Sequence, residues 1–144
     1  MRAVIQRVLH AEVRAGDDFA EIGPGLVVLA GIEAKDTPGD MDWAAAKIAG
    51  LRIFEDEDGR MNLGFPDVGG EVLAVSQFTL AGSIAKGRRP SFDAAMAPEP
   101  ARVLFARFVE QLRALGLPVK TGFFQQHMEV ELVNDGPVTF VLER

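Results

Sequence analysis

A single α+β domain is predicted, with mainly antiparallel β-sheets forming a barrel-like core and two main helices. Three observations predict it. The chain has 144 residues, of which 48% are hydrophobic and 25% charged, a size and balance that suit one domain with its own core. Short apolar segments bounded by Gly, Pro and Asp recur along most of its length, the pattern of many short strands. Only two stretches carry helical spacing, too few to cover both faces of a doubly wound parallel sheet.

Taken in order, residues 2–8 and 11–15 are expected as short strands, with turns near Gly16-Asp17-Asp18 and at Ile22-Gly23-Pro24-Gly25. Leu26 to Ile32 is rich in branched side chains and flanked by glycine, which predicts a buried strand. Asp36-Thr37-Pro38 is a helix start, and Met41, Ala45, Ile48 and Leu51, with Trp43, follow at helical spacing, so a helix is expected over 38–50. Arg52 to Glu55 is a short strand and Asp56 to Arg60 a charged turn. Glu71 to Phe78 reads as a central strand, and Gly82 to Ala97 as a loop. Pro98-Glu99-Pro100 opens a second helix with Leu104, Phe108, Leu112 and Leu115 on its core face, and Gly116-Leu117-Pro118 ends it. Three short strands are expected at about 119–122, 127–133 and 137–142.

Charge and composition exclude several functions. The formal charge of −6 opposes broad, nonspecific nucleic-acid binding but leaves room for a local basic site. Lys86-Gly87-Arg88-Arg89 is the one dense basic cluster, and a solvated loop is its plain reading. There is no cysteine, which fits a cytoplasmic protein. Arg7 and His10 interrupt the first apolar stretch, so it does not read as a secretory signal. The run from Leu26 to Ile32 is too short to span a bilayer. The two histidines, His10 and His127, have no metal-ligand spacing. Asp56-Glu57-Asp58-Gly59 looks superficially like a calcium loop, but Asp67 stands where the closing bidentate Glu would be. No phosphate loop or dinucleotide fingerprint is present, so neither metal nor cofactor is expected.

Two segments carry candidate chemistry. The strand ending at Val75 is apolar and then abruptly polar, in Ser76-Gln77-Phe78-Thr79-Leu80. Polar groups at the end of a buried strand either line a pocket or cap the strand's own backbone. Ser76 or Thr79 as a nucleophile needs a general base held by a third group, and no nucleophile elbow is present. The second segment is Asn134-Asp135-Gly136-Pro137-Val138-Thr139. Its Gly-Pro pair is most simply a turn. The same pair can also present two rigid, protruding carbonyls, which would exclude one enantiomer of a ligand by collision.

Together these segments resemble the D-aminoacyl-tRNA deacylase family. The resemblance runs through Met1-Arg2-Ala3-Val4-Ile5-Gln6-Arg7-Val8, Lys47-Ile48-Ala49-Gly50-Leu51-Arg52-Ile53-Phe54 and Gly59-Arg60-Met61-Asn62-Leu63. It continues through Val75-Ser76-Gln77-Phe78-Thr79-Leu80, Gly87-Arg88-Arg89-Pro90-Ser91-Phe92 and Asn134-Asp135-Gly136-Pro137-Val138-Thr139. These six strings, in order, span nearly the whole chain.

The resemblance implies a metal-free cytoplasmic homodimer that hydrolyses the ester of D-aminoacyl-tRNA and of glycyl-tRNA mischarged on tRNA-Ala. It implies a cis Gly136-Pro137 peptide that enters the partner's active site and rejects L-aminoacyl-tRNA. Ser76, Gln77, Phe78 and Thr79 would form the facing catalytic pocket. Arg7 would brace the Gly-Pro segment, against the alternative of an ordinary strand-end charge. Phe124 and Met128 would line the pocket for the terminal adenosine or the core beside it. The ribose hydroxyl beside the ester would help activate water, with a Thr79 nucleophile as the competing mechanism. One departure stands out. The family has Gly-Ala after the aromatic at Phe124, where this chain has Gln125-Gln126. The remaining alternatives are a deacylase that removes a small L-amino acid and a noncatalytic RNA-binding module.

Overall fold

The computed structural model describes residues 1–144. Its strands are β1 (Arg2–Ala15), β2 (Asp18–Ile22), β3 (Gly25–Gly31), β4 (Phe54–Glu55), β5 (Met61–Leu63), β6 (Glu71–Ser76), β7 (Val119–Thr121) and β8 (Glu129–Glu143). The helices are α1 (Pro38–Ala49), the single-turn α2 (Phe65–Val68) and α3 (Pro98–Ala114), and a 3-10 turn covers Phe78–Ala81. Six strands share one sheet in the order β2-β1-β3-β6-β7, with β8 also on β1, while β4 and β5 form a small hairpin.

The sheet is mixed and nearly closed, like a barrel, in a single small α+β domain. β1 pairs antiparallel with β2, β3 and β8. β3 with β6 and β6 with β7 are parallel. Each parallel pair is joined through a helix, α1 in one connection and α3 in the other, as parallel strands require.

The two segments expected at 2–8 and 11–15 are one strand. β8 runs along both, from Arg2 opposite Glu143 to Arg14 opposite Glu129, so pairing resumes beyond each irregularity. The registers slip between Gln6 and Val8 and between Val8 and His10. These irregularities break the period-2 pattern without ending the strand. For the same reason the segments expected at 127–133 and 137–142 merge into β8. β2, β5 and α2 were not expected; each is short and polar or bounded closely by glycine.

β3 and β6 are buried on both faces, which explains their continuous apolar runs. Leu26, Val28, Ala30, Val72 and Ala74 face a 23-residue core shared with the helices. Val27, Leu73 and Val75 point the other way, with Val8, Ala11, Val13 and Ile22, into a second cluster of 7. α1 contributes Met41, Ala44, Ala45 and Ile48 to the first core. Its start is fixed by Thr37, whose backbone N–H and hydroxyl both donate to the Asp40 carboxylate, at 2.8 and 2.6 Å. α3 buries Leu104, Phe105, Phe108 and Leu112. Trp43 and Leu115, expected inward, are exposed: Trp43 lies under the Arg144 guanidinium at 4.9 Å, and Leu115 follows the last turn of α3.

Glu71 ties the start of β6 to its surroundings. Its carboxylate accepts from the Gly23 N–H at 3.0 Å and lies 3.4 Å from Lys120 Nζ. The Gly23 bond first, and Lys120 second, hold it below the usual carboxylate range. A lowered folded-state pKa adds stability above the unfolded value, about 4.3, that is lost as pH falls through the folded value. Glu71→Gln should therefore lower the urea midpoint modestly at pH 7, and the gap from the parent should close below about pH 4. A gap that grows on acidification would contradict the assignment.

Candidate active site

The exit of β6 forms one wall of a cavity. Ser76 is the last residue of the strand and Gln77 the first beyond it, its N–H donating to Ala30 O at 2.8 Å. The 3-10 turn then closes over the end of β3, with Leu80 N–H bonding Gln77 O at 3.2 Å. This close approach needs glycine at 31, where a Cβ would stand 2.7 Å from Leu80 Cβ and 2.9 Å from Gln77 O. Arg2 holds the same turn from outside through Leu80 O, at 3.3 Å. The turn's first N–H groups, on Phe78 and Thr79, have no carbonyl within the turn to meet.

The opposite wall is the loop between β7 and β8. Gly122 N–H donates to Ala74 O at 2.9 Å, and Met128 Sδ accepts from Phe123 N–H at 3.3 Å, which folds the loop back on itself. The cavity between these walls measures about 750 Å³. Ser76, Gln77, Phe78, Phe124, Met128 and His127 all line it. Ten of its sixteen lining residues are apolar, the composition of a small-molecule site with few polar groups to orient the ligand.

Thr79 sits on the turn outside the lining, and its hydroxyl accepts from the Gln77 side-chain amide. His127 is exposed at the rim. Phe92 and Met96 also line the cavity. Phe92 packs on Phe78 with ring centroids 5.1 Å apart, forming an aromatic lip. Nothing in the sequence assigns Phe92 a role, and Met96 has no signal beyond being apolar in a loop. No group of three or more His, Cys, Asp or Glu side chains that could hold a metal is assembled.

Gly136 and Pro137 lie elsewhere. Gln6 faces Thr139 and Val8 faces Asn134, so the four residues 135–138 stand opposite Arg7 alone. The Gly-Pro pair is thus the crest of a wide bulge inside β8, not a turn between two strands. Its peptide is cis, and both residues are exposed. Val138 beside them is buried and anchors the bulge.

Arg7 is only 5% exposed and braces that bulge. Its Nε donates to Asp135 O at 3.0 Å and lies 2.9 Å from Asp135 Oδ2. NH1 donates to Ile53 O at 2.7 Å and NH2 to Glu55 Oε1 at 3.2 Å. Asn134 Nδ2 ties the two strands from the other side, donating to Arg7 O at 2.9 Å and Val138 O at 3.3 Å. An ordinary strand-end charge would be solvated, and this one is not. Within one chain, neither Arg7 nor residues 134–139 line the cavity.

Phe124 is half-buried, 6.3 Å from Phe105 between ring centroids, and carries the Arg102 guanidinium at 4.5 Å. Gln125 has φ 61°, the left-handed region where glycine is the ordinary choice. That is a physical reason for glycine after the aromatic in the family pattern, and for the departure here to be local.

A family model described as D-Tyr-tRNA(Tyr) deacylase matches residues 4–143. A D-aminoacyl-tRNA deacylase of Symbiobacterium thermophilum is 58% identical, covering 99% of this chain and 95% of that one. One of Pelobacter propionicus is 57% identical over the full length of both. A solved structure of a c-Myc DNA unwinding element binding protein shares 42% identity with a TM-score of 0.93, covering 100% and 99% of the two chains. A probable eukaryotic D-amino acid tRNA deacylase shares the fold at a TM-score of 0.86 and 18% identity, covering 98% and 97%. Fold and sequence agree: the chain belongs to the D-aminoacyl-tRNA deacylase family of hydrolases.

Proposed function

We propose that the chain hydrolyses the ester joining a D-amino acid to the 3′-terminal ribose of tRNA, releasing free D-amino acid and tRNA in translation proofreading. The cavity between Ser76-Gln77-Phe78 and Phe124–Met128 is the observation that supports this most. Its volume and largely apolar lining suit an aminoacyl-adenosine end. Release of D-tyrosine from D-tyrosyl-tRNA by the purified protein, above the rate in buffer, is the test. Binding without release would make the chain a tRNA-binding module instead. Duplex DNA binding, suggested by the name of one similar structure, is opposed by the formal charge of −6.

Selection by handedness follows if Gly136 and Pro137 enter the cavity of a second copy. Two features support that arrangement. The pair is exposed and lines no part of its own chain's cavity. β8 pairs with β1 and no other strand, and Val133, Phe140 and Val141 on it are exposed, as on an edge that a homodimer covers. Carbonyls of the pair then collide with an L-side chain and spare a D-side chain. Glycine has none, so glycyl-tRNA mischarged on tRNA-Ala is a substrate too. A thousandfold preference needs only about 4 kcal/mol, within reach of a hard overlap. Lys86, Arg88 and Arg89, all exposed, would meet the acceptor end in the cytoplasm without any membrane role.

For the chemistry, the ribose hydroxyl beside the ester activates water, and the N–H groups of Phe78 and Thr79 receive the developing oxyanion. Ser76 and Gln77 orient the acyl group. The Thr79 hydroxyl already accepts from Gln77 and has no adjacent base. Thr79→Ala is therefore expected to keep turnover within about threefold, whereas a substrate lacking the 2′-hydroxyl falls at least about a hundredfold. Rapid-quench rates on the two substrates check this. The reverse pattern would restore the threonine nucleophile.

A further inference from the structure

A cation with no carboxylate partner stands behind one wall of the cavity. Arg102, on the exposed face of α3, lies 4.5 Å from the Phe124 ring centroid, and its NH2 donates to Gln125 Oε1 at 2.8 Å. Its helix neighbours are neutralised. Arg107 NH2 lies 2.7 Å from Asp42 Oδ2, and Arg113 NH1 lies 2.6 Å from Glu110 Oε1. Arg102 instead meets a neutral amide and an aromatic face, which fix its direction without cancelling its charge.

Phe124 is the wall between two cavities. One is the site described above. The other, about 260 Å³, is lined by Arg102, Phe105, Val109, Arg113 and Phe124 itself, and also by Glu110, whose carboxylate is paired with Arg113. Arg102 lines the second and adjoins the first through its contacts with Gln125 and Phe124. Gln125 is what holds it there. A non-glycine residue at φ 61° is uncommon, and the side chain present at that cost supplies the one hydrogen bond that aims Arg102.

We propose that Arg102 binds the phosphodiester on the 5′ side of the terminal nucleotide, that the second cavity takes the penultimate nucleotide, and that Gln125 is the positioning residue for Arg102. This extends, and rests on, the deacylase function proposed above. One guanidinium nitrogen is spent on Gln125, and the remaining donors form the fork that suits phosphate. Ala106, exposed, and the half-buried Thr121 and Gly122 line the mouth of this hollow, above the buried Phe105 and Val109. The acidic chain thereby carries a local anion site matched to the acceptor strand.

The test compares D-tyrosyl-tRNA with D-tyrosyl-adenosine, which has no phosphate, between about 50 and 200 mM salt. Arg102→Ala should raise KM for the tRNA about tenfold more than for the adenosine ester. It should also make the log–log salt slope for the tRNA shallower by about 0.7, one phosphate contact on a single strand. Arg102→Lys should recover part of the loss, since it keeps charge but not the fork. Gln125→Ala should fall between Arg102→Ala and the parent in KM and salt slope. Arg107→Ala, on the same helix but paired with Asp42, should match the parent. Equal losses on both substrates would overturn the proposal, showing that Arg102 only supports the Phe124 wall. Unchanged KM for the tRNA would overturn it as well. A parent enzyme inactive on both substrates would instead refute the deacylase function, and this proposal with it.

Discussion

Gly136→Ala is expected to reduce D-over-L selectivity about a hundredfold while leaving a folded protein. A Cβ at this position would stand 2.5 Å from Asn134 Oδ1 and 2.7 Å from Val138 N. The first is a side-chain atom, and the second is backbone, which yields only by moving the chain. The Asn134 side chain is held by Arg7 O and Val138 O, and Val138 is 3% exposed and packed into the core. The bulge must therefore shift its crest. A displacement of about 1 Å is enough to change a rate by about a hundredfold when positioning carries the effect. Burial elsewhere is untouched, so the variant should still fold. Hydrolysis of matched D- and L-tyrosyl-tRNA by parent and variant measures the ratio. An unchanged ratio in a folded variant would remove Gly136 from the selecting surface.

Arg7→Ala should be the most destabilising single change at the bulge, by about 3 kcal/mol. It strips the buried carbonyl of Ile53 of its donor and frees the Asp135 carbonyl that fixes the crest. It also leaves Glu55 and Asp135 without their cation, although both carboxylates are largely exposed and tolerate this at small cost. For a domain of this size the melting temperature should fall by about 10 °C. Arg7→Met keeps much of the buried stem and loses only the bonds. It should recover less than about half of the loss. Thermal unfolding of both variants decides the matter. A fall of under about 2 °C for Arg7→Ala would mean that water replaces the guanidinium freely.

How far such features can be seen in sequence varies with their physics. β3 and β6 are legible because burial on both faces demands unbroken apolar runs. α1 and α3 are legible because their starts carry Thr37-Pro38 and Pro98, and their core faces keep helical spacing. The unity of β1 and of β8 is not legible. The bulge at Arg7 and residues 135–138 shifts the alternation, and a shifted alternation looks like two strands. Strand direction is equally hidden, so the parallel pairs of β6 came as a finding.

The site divides in the same way. Ser76-Gln77 announces itself by a sharp change from apolar to polar at the end of a buried strand. The cavity joins it to Phe92 and to Phe124–Met128, distant in sequence, and periodicity says nothing of such meetings. Gln125 concealed a left-handed backbone because glycine or asparagine is the usual sign of one. Arg102 carries no signal in the sequence, because Phe124 and Gln125, which give it its place, lie more than twenty residues away. Only the pattern of the Asn134–Thr139 string suggested that the Gly-Pro pair was more than a turn.

Single-turnover deacylation of matched D-tyrosyl-, L-tyrosyl- and glycyl-tRNA by the purified protein tests the central claim most directly. Cleavage of the D- and glycyl-esters with the L-ester spared is the predicted result. Equal cleavage of the L-ester would contradict selection by the Gly136-Pro137 carbonyls, and cleavage of none would contradict hydrolysis at this cavity altogether.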